Sequence, residues 1–435
     1  MKRIFIWSLF ALILPAFGYS QSSAEKFSVD GIPVIMKHTV KEVLNVGVYY
    51  MGGVADYPKD EAGIANLALF ATTECGTKEY TRDAFKNKAD RYGIYLSGSS
   101  SYDYGNINLN CVDKYFPEGW SLLVEAVKHP VYGQNEFALL KEKILAGIKN
   151  SEADPDSKLE DMAMEHTFKG TAYETEPKGD TSSIPKLTAT EVKDYYFQHL
   201  LNKNRMFIVV VGRISKKLIS EKIHEAFGNI PSLPYTKPNY QAPDIAANSL
   251  NVQARKLATN YIMGFVNAPT MTSPDFVAGR LAMAAYSFDL FTEIRTKRNL
   301  SYAPYAYLVQ RQMPYGLIYV STTDPKASIQ VMEDEIHKYK TKGFTDREFT
   351  DIRNLYITSN YMKNESTSAI ASSYGLAEVL GNWKMADQFI DIVRKTTAQD
   401  MTNAFKKYVH GISWSYLGDP KAAETAKEVF ETTVQ

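Results

Sequence analysis

The sequence predicts an α+β fold assembled from two homologous domains, and three observations carry that prediction. The first is an internal repeat. TATEVKDYYFQHL, beginning at Thr188 and leading into RMFIVVVGRI, is matched by TAQDMTNAFKKYV, beginning at Thr397 and leading into SWSYLGDP. Each reads as a capped helix feeding a short buried strand that ends at a glycine. Pro117, in PEGWSLLVEAVKH, is matched by Pro325, in PKASIQVMEDEIHKY, and NEFALLKEKILAGI around Phe137 by REFTDIRNLYITS around Phe349. Three pairs in the same order, each about 210 residues apart, mean a duplicated domain.

The second observation is the stretch between the copies, PSLPYTKPNYQAPD, with Pro231, Pro234, Pro238 and Pro243. So many prolines hold neither a helix nor a central strand, so the stretch reads as an extended linker. The third is that alternating strands (FSVDGIPVIMKH, NVGVYYMG, YGLIYVSTT) and longer amphipathic helices come in clusters, which fits α+β with antiparallel-rich sheets better than a doubly wound fold. The expected boundaries are 1–20 for a signal peptide, 21–230 for the first domain, 231–250 for the linker and 251–435 for the second domain.

The signal peptide rests on MKRIFIWSLFALILPAFGYSQ. Lys2 and Arg3 precede an apolar run from Ile4 to Phe17, and Gly18 and Ser20 flank an expected cleavage before Gln21. The run is short for a bilayer span, and no later segment is long and apolar enough for one, so no stable membrane insertion is expected. The mature chain is expected to be exported, which in a cell with two membranes means the periplasm. Lys+Arg and Asp+Glu both number 49, so the net charge is zero and nothing electrostatic favours a nucleic acid partner. The two cysteines, Cys75 and Cys111, leave open a bridge or two buried thiols, and they exclude a cysteine metal site.

The stretch GIANLALFATTECGT, Gly63 to Thr77, follows a strand and a turn and reads as a helix. Its frame, Gly63-Ile64-Ala65 with the terminal Gly76-Thr77, resembles the pitrilysin (insulinase-like) zinc metallopeptidases, whose first domain carries Gly-Leu-Ala-His-x-x-Glu-His followed by Gly-Thr. The likeness extends over nearly the whole mature chain, since the duplicated domain and the proline linker are also traits of that family. In H-x-x-E-H the two histidines share one helix face and grip zinc, while the glutamate takes the proton of a bound water. Asn66, Leu69 and Phe70 stand at those positions here. The third ligand comes in the family from a later helix, where KILAGIKNSEADP offers Ala146 and Gly147. Leu and Phe have no lone pair, so the resemblance implies a peptidase-like chain with no zinc of its own, and Leu67, Leu69 and Phe70 are expected to pack as apolar surface. No two of the seven histidines lie four apart, and MAMEH, Met162 to His166, imitates the motif with a thioether where a ligand belongs. No serine or cysteine nucleophile motif and no phosphate-binding loop is present.

The second domain keeps a different part. LFTEIRTKRNLSYAPYAYL, Leu290 to Leu308, reads as a helix ending on basic residues, a left-handed stop at Asn299, and a strand LSYAPYAYLV. It resembles the family's Arg/Tyr segment, matched as Arg295 and Tyr302, which binds substrate backbone and helps stabilise the developing oxyanion from the half opposite the zinc. Two alternatives stay open: Arg295 paired with Glu293, and Tyr302 as one more packing tyrosine. Arg298 competes for the arginine role, at a shorter spacing to the tyrosine. Family members of this length commonly form half of a two-subunit clamshell. The resemblance therefore implies a non-catalytic subunit that is no peptidase alone, that encloses peptides and that donates Arg295 and Tyr302 to a zinc-bearing homologous partner. A peptide-binding or scaffold protein with no hydrolytic partner is the alternative, for which the segment IYLSGSSSYDYGNINL offers a strand to pair with.

Overall fold

The computed structural model describes residues 23–432, so the expected signal peptide lies outside the described residues. The first half opens with β1 (Glu25–Val29), β2 (Ile32–His38) and β3 (Val43–Met51). The helices α1 (Ile64–Glu74) and α2 (Arg82–Arg91) follow, then the hairpin β4 (Tyr95–Ser100) and β5 (Tyr104–Val112). After α3 (Phe116–Lys128), α4 (Gln134–Ala153), α5 (Pro155–Thr167) and α6 (Ala189–Tyr195) come β6 (Met206–Gly212) and α7 (Lys216–Phe227). The second half repeats the plan: β7 (Ser249–Ala254), β8 (Asn260–Asn267), α8 (Phe276–Leu290), β9 (Tyr305–Val309), β10 (Tyr315–Thr322), α9 (Pro325–Lys342), α10 (Asp346–Lys363), α11 (Thr367–Val379), α12 (Met385–Lys395), α13 (Ala398–Tyr408), β11 (Ser413–Gly418) and α14 (Pro420–Glu431).

The sheets run β1-β2-β6-β3-β5-β4 and β7-β11-β8-β10-β9. Only β2 with β6 and β7 with β11 are parallel, and every other pair is antiparallel. Apart from β1, the orders superimpose strand for strand, so the duplication is one of topology as well as of sequence. The matched helices begin alike. Thr188 and Thr397 each accept from the backbone N–H three residues on, while Glu191 and Asp400 reach back to the cap, two complete capping boxes. The strands they feed, β6 and β11, are buried at every residue. Between the halves, residues 231–248 carry no helix or strand. The segment is tied down at Leu233, whose N–H and C=O both pair with the Asn202 amide, and at Lys237, whose Nζ donates to the Val379 carbonyl at 3.2 Å.

Each half covers the other's sheet. Helix α5 packs on β8 and β11, and its counterpart α11 packs on β3 and β6. The ring of Phe168, just past α5, lies 5.5 Å from Tyr315, and Tyr49 stacks on Phe207 at 4.8 Å beneath α11. A buried polar knot joins them: Asp103 accepts from the Tyr173 hydroxyl and from the Gln312 N–H, and Tyr173 accepts from the Met313 N–H at 3.2 Å. Every polar atom named in it has a partner, as a buried network requires. Both cysteines are buried free thiols, and burial pushes each up to about 12.

Candidate functional site

Helix α1 sits hard against the β4–β5 hairpin because two glycines let it. A Cβ at Gly98 would stand 2.0 Å from the Leu69 carbonyl oxygen, and one at Gly105 would stand 2.2 Å from Leu69 Cδ1. Leu67 and Leu69 are fully buried as a result. Asn66 is half-buried, and its Oδ1 accepts the Ser100 N–H at 3.4 Å, at the end of the edge strand β4. Phe70 is half-buried under the ammonium of Lys143, 4.9 Å from its ring centroid. Lys143, on α4, also lies 4.0 Å from Glu74, which holds Lys86 at 2.6 Å. Ala146, one turn beyond Lys143, is exposed.

The zinc site of the family's first domain is therefore not built from these residues. Leucine and phenylalanine offer no electron pair, the asparagine oxygen is engaged with the β4 backbone, and a lysine cation lies over the Phe70 ring. Among the described residues no group of three or more His, Cys, Asp or Glu is placed to hold a metal ion. His166, in the imitation motif, bonds Ser249 Oγ at 3.1 Å across the two halves.

The Arg/Tyr segment is built by a helix that loosens at its end. Helix α8 passes into a π-turn over Phe291–Lys297, an irregularity often found at functional positions. The stop is Asn299, at φ 53°, the left-handed conformation its short polar side chain tolerates. The Asn299 N–H returns to the Arg295 carbonyl at 3.2 Å and the Leu300 N–H to Ile294 at 2.9 Å, so the chain doubles back. The strand is shorter than its sequence suggests. LSYAPYAYLV is extended from the outset by its pattern, yet β9 covers Tyr305–Val309 alone, because Pro304 has no N–H for a ladder. Tyr302 thus stands in the irregular turn before the strand, 76% exposed.

This turn brings the pair together face to face. Arg295 Cζ lies 4.0 Å from the Tyr302 ring centroid and 4.8 Å from that of Phe291. Glu293 does not pair with Arg295. It is taken by Lys297 at 2.5 Å and Arg298 at 2.6 Å, which hold its carboxyl below the usual range. Arg298, the competitor by sequence, is thereby occupied. Arg295 makes no ion pair and donates no hydrogen bond among the described residues, so its N–H groups remain free. Phe291 escaped the sequence reading, although its place one helical turn before Arg295 is the signal that would have found it.

Comparison with known proteins gives a consistent picture. The family models described as "Insulinase (Peptidase family M16)" and "Peptidase M16 inactive domain" match residues 33–179 and 186–356. A relative from Helicobacter pylori, called a non-peptidase homolog, is 21% identical over 83% of this chain and 86% of its own. The alpha-1 subunit of the mitochondrial-processing peptidase of Dictyostelium discoideum is 25% identical over 49% of this chain and 33% of its own. Among solved structures, a peptidase M16 inactive domain from Pseudomonas fluorescens superimposes with a TM-score of 0.84 at 17% identity, covering 92% of this chain and 98% of that one. The periplasmic protease PqqL of Escherichia coli superimposes at 0.76 and 14%, covering 96% of this chain and 49% of that one. With the duplicated α+β domains and the frame of α1 already in view, the chain belongs to the insulinase-like M16 peptidase family, as a homologue whose zinc motif is degenerate.

Proposed function

We propose that this chain is the non-catalytic subunit of an exported insulinase-like zinc peptidase, enclosing peptides and supplying Arg295 and Tyr302 to the active site of a zinc-bearing partner. The observation that carries the reading is the state of Arg295: a guanidinium clamped by two aromatic rings, free of any acid, beside an exposed phenol. Both side chains are hydrogen-bond donors. Preorganised donors stabilise an oxyanion most in a cleft from which water is excluded, which a covering partner would provide. The degenerate α1 supports the division of labour, because the bond-breaking metal must then come from another polypeptide. The relative named as a peptidase subunit supports a heteromeric arrangement, and the neighbour titled as periplasmic supports export by residues 1–20.

The test is reconstitution with a zinc-bearing homologue from the same cell. Arg295→Ala and Tyr302→Phe are expected to lower peptide turnover by about 100-fold, with the melting temperature unchanged. Turnover equal to the unmodified complex would reject the donated-pair role. A second reading, a peptide-binding scaffold with no hydrolytic partner, is favoured by the open edge of β4, where Tyr95, Ser97 and Ser99 are exposed. A native complex that contains only this chain would select it.

A further inference from the structure

Beside the end of β4 lie two cavities of about 240 Å³ and 230 Å³ that share Tyr102, Asp161 and Glu176 as walls. The larger is closed on one side by the second half of the molecule, through Arg311 in the turn between β9 and β10. Its guanidinium lies 4.0 Å from the centroid of the Tyr102 ring. Its one hydrogen bond among the described residues runs from Nη1 to the Met164 sulfur at 3.9 Å, and it makes no ion pair. Tyr315, whose ring centroid is 5.6 Å from Arg311 Cζ, has a buried hydroxyl with no partner.

The other walls carry mainly the opposite sign. Glu160, Asp161 and Glu176 line the same cavity with one cation, Lys178, and none of the three carboxylates makes an ion pair among the described residues. Glu176 accepts only neutral donors, the Tyr102 hydroxyl at 3.1 Å and the Lys178 N–H at 3.4 Å. Partial desolvation of its carboxyl, with the charge of Glu176 second and against the pull of Lys158 and Lys178, pushes Asp161 up to about 6, although the residue as a whole is exposed. An arginine partly withdrawn from water with its fork unused is costly, and a carboxylate bound through two parallel N–H bonds is the strongest partner it takes. Three carboxylates set against one lysine leave a net negative wall, which favours a further cation in the same way. A ligand that satisfies both walls carries both charges within the length of one residue. An internal lysine lacks the carboxylate and an internal aspartate lacks the cation, whereas a lysine or arginine at the end of a peptide has both.

We propose that this cavity receives the C-terminal residue of a peptide ending in lysine or arginine, with its carboxylate on Arg311 and its side-chain cation among Glu160, Asp161 and Glu176. The inference rests on the peptide-enclosing reading above and specifies its ligand class. It also accounts for the position of the cavity, since β4 ends at Ser100 on its wall and a peptide laid along that open edge leads into it.

The experiment uses the isolated chain and three fluorophore-labelled tripeptides: Ala-Ala-Lys, its C-terminal amide, and Ala-Ala-Ala. Fluorescence anisotropy is expected to show the free acid of Ala-Ala-Lys binding at least 10-fold more tightly than either of the others. Arg311→Gln is expected to abolish the preference for acid over amide, and Asp161→Asn with Glu176→Gln to abolish the preference for lysine over alanine. Arg311→Lys keeps a cation without the fork, and a several-fold loss at unchanged melting temperature separates recognition from folding. Equal binding of acid and amide, absence of binding by every probe, or discrimination retained in Arg311→Gln overturns the proposal. No zinc-bearing partner is present, so failure here leaves the Arg295 and Tyr302 experiment standing, and failure there leaves this one.

Discussion

Gly375 of α11 lies against the ring of Tyr49 on β3, in the other half of the molecule, so closely that a Cβ would stand 2.2 Å from the ring carbon Cζ. Tyr49 cannot retreat, because Phe207 stacks on its ring at 4.8 Å and it is itself buried. The contact is one side of the exchange in which α11 roofs the first sheet and α5 the second. Gly375→Val is expected to cost about 3 kcal/mol through overpacking, seen as a lower urea midpoint with unchanged slope. Residues 21–248 and 249–435 expressed separately are each expected to bind a hydrophobic dye and to lose near-ultraviolet dichroism, because each exposes a sheet that the other buries. Native spectra from either piece alone would show that the exchange is dispensable.

The degenerate α1 makes a prediction about rescue. Restoring the family's ligands by N66H, L69E, F70H and A146E together is not expected to create a zinc site. Leu69 is fully buried between Gly98 and Gly105, so a glutamate there places a charge without a partner against backbone. Leu69→Glu alone is expected to destabilise by about 4 kcal/mol, and the Lys143 ammonium beside Phe70 opposes a second cation. Metal content by mass spectrometry and thermal melting decide the matter. A folded fourfold variant with one zinc per chain would show that the helix still holds the geometry.

Asn299 governs how Arg295 meets Tyr302. At φ 53° any residue with a Cβ other than asparagine or aspartate is strained. Asn299→Gly is expected to keep or raise stability by up to about 0.5 kcal/mol, and Asn299→Ala to lose about 1 kcal/mol. The alanine variant is also expected to lose more partner-dependent turnover than its melting temperature explains, because the turn sets the stacking of the pair. Identical behaviour of the two variants would mean that the turn is held by its neighbours.

These residues mark what could be read from the sequence. The capping boxes at Thr188 and Thr397 and the stop at Asn299 are local chemistry, decided within four residues, and they were legible. So was the degeneracy of the zinc motif at Asn66, Leu69 and Phe70, since it depends only on which side chains have lone pairs. The exchange of α5 and α11 was not, because an amphipathic period shows that a helix has a buried face and not which sheet that face meets. Arg311 was invisible for the same reason: it acts on Tyr102, which is distant in the chain. Tyr302 was assigned to a strand because its alternation is strand-like, and Pro304 shortened the ladder.

Glu333 gives the stability of the protein a pH dependence of defined sign. It is a buried carboxyl on α9, and its only hydrogen-bonding neighbour among the described residues is the Asn248 amide at 3.5 Å, at the limit of such a bond. Burial, with the nearby charge of Asp334 second, pushes it up to about 8 from an ordinary value of 4.5. Between those two values the folded chain keeps a proton that the unfolded chain has released. Stability therefore falls as pH rises through that window and levels off above it. Glu333→Gln keeps the shape and the amide contact without the proton, so it is expected to melt higher than the parent at pH 8 and to match it near pH 4.5. In a chain of 435 residues an increment of about 1 kcal/mol at the alkaline end corresponds to about 1 °C. Melting curves for both proteins from pH 4.5 to pH 9 test the point, and a difference that does not change with pH would show that Glu333 titrates alike in the folded and unfolded chain.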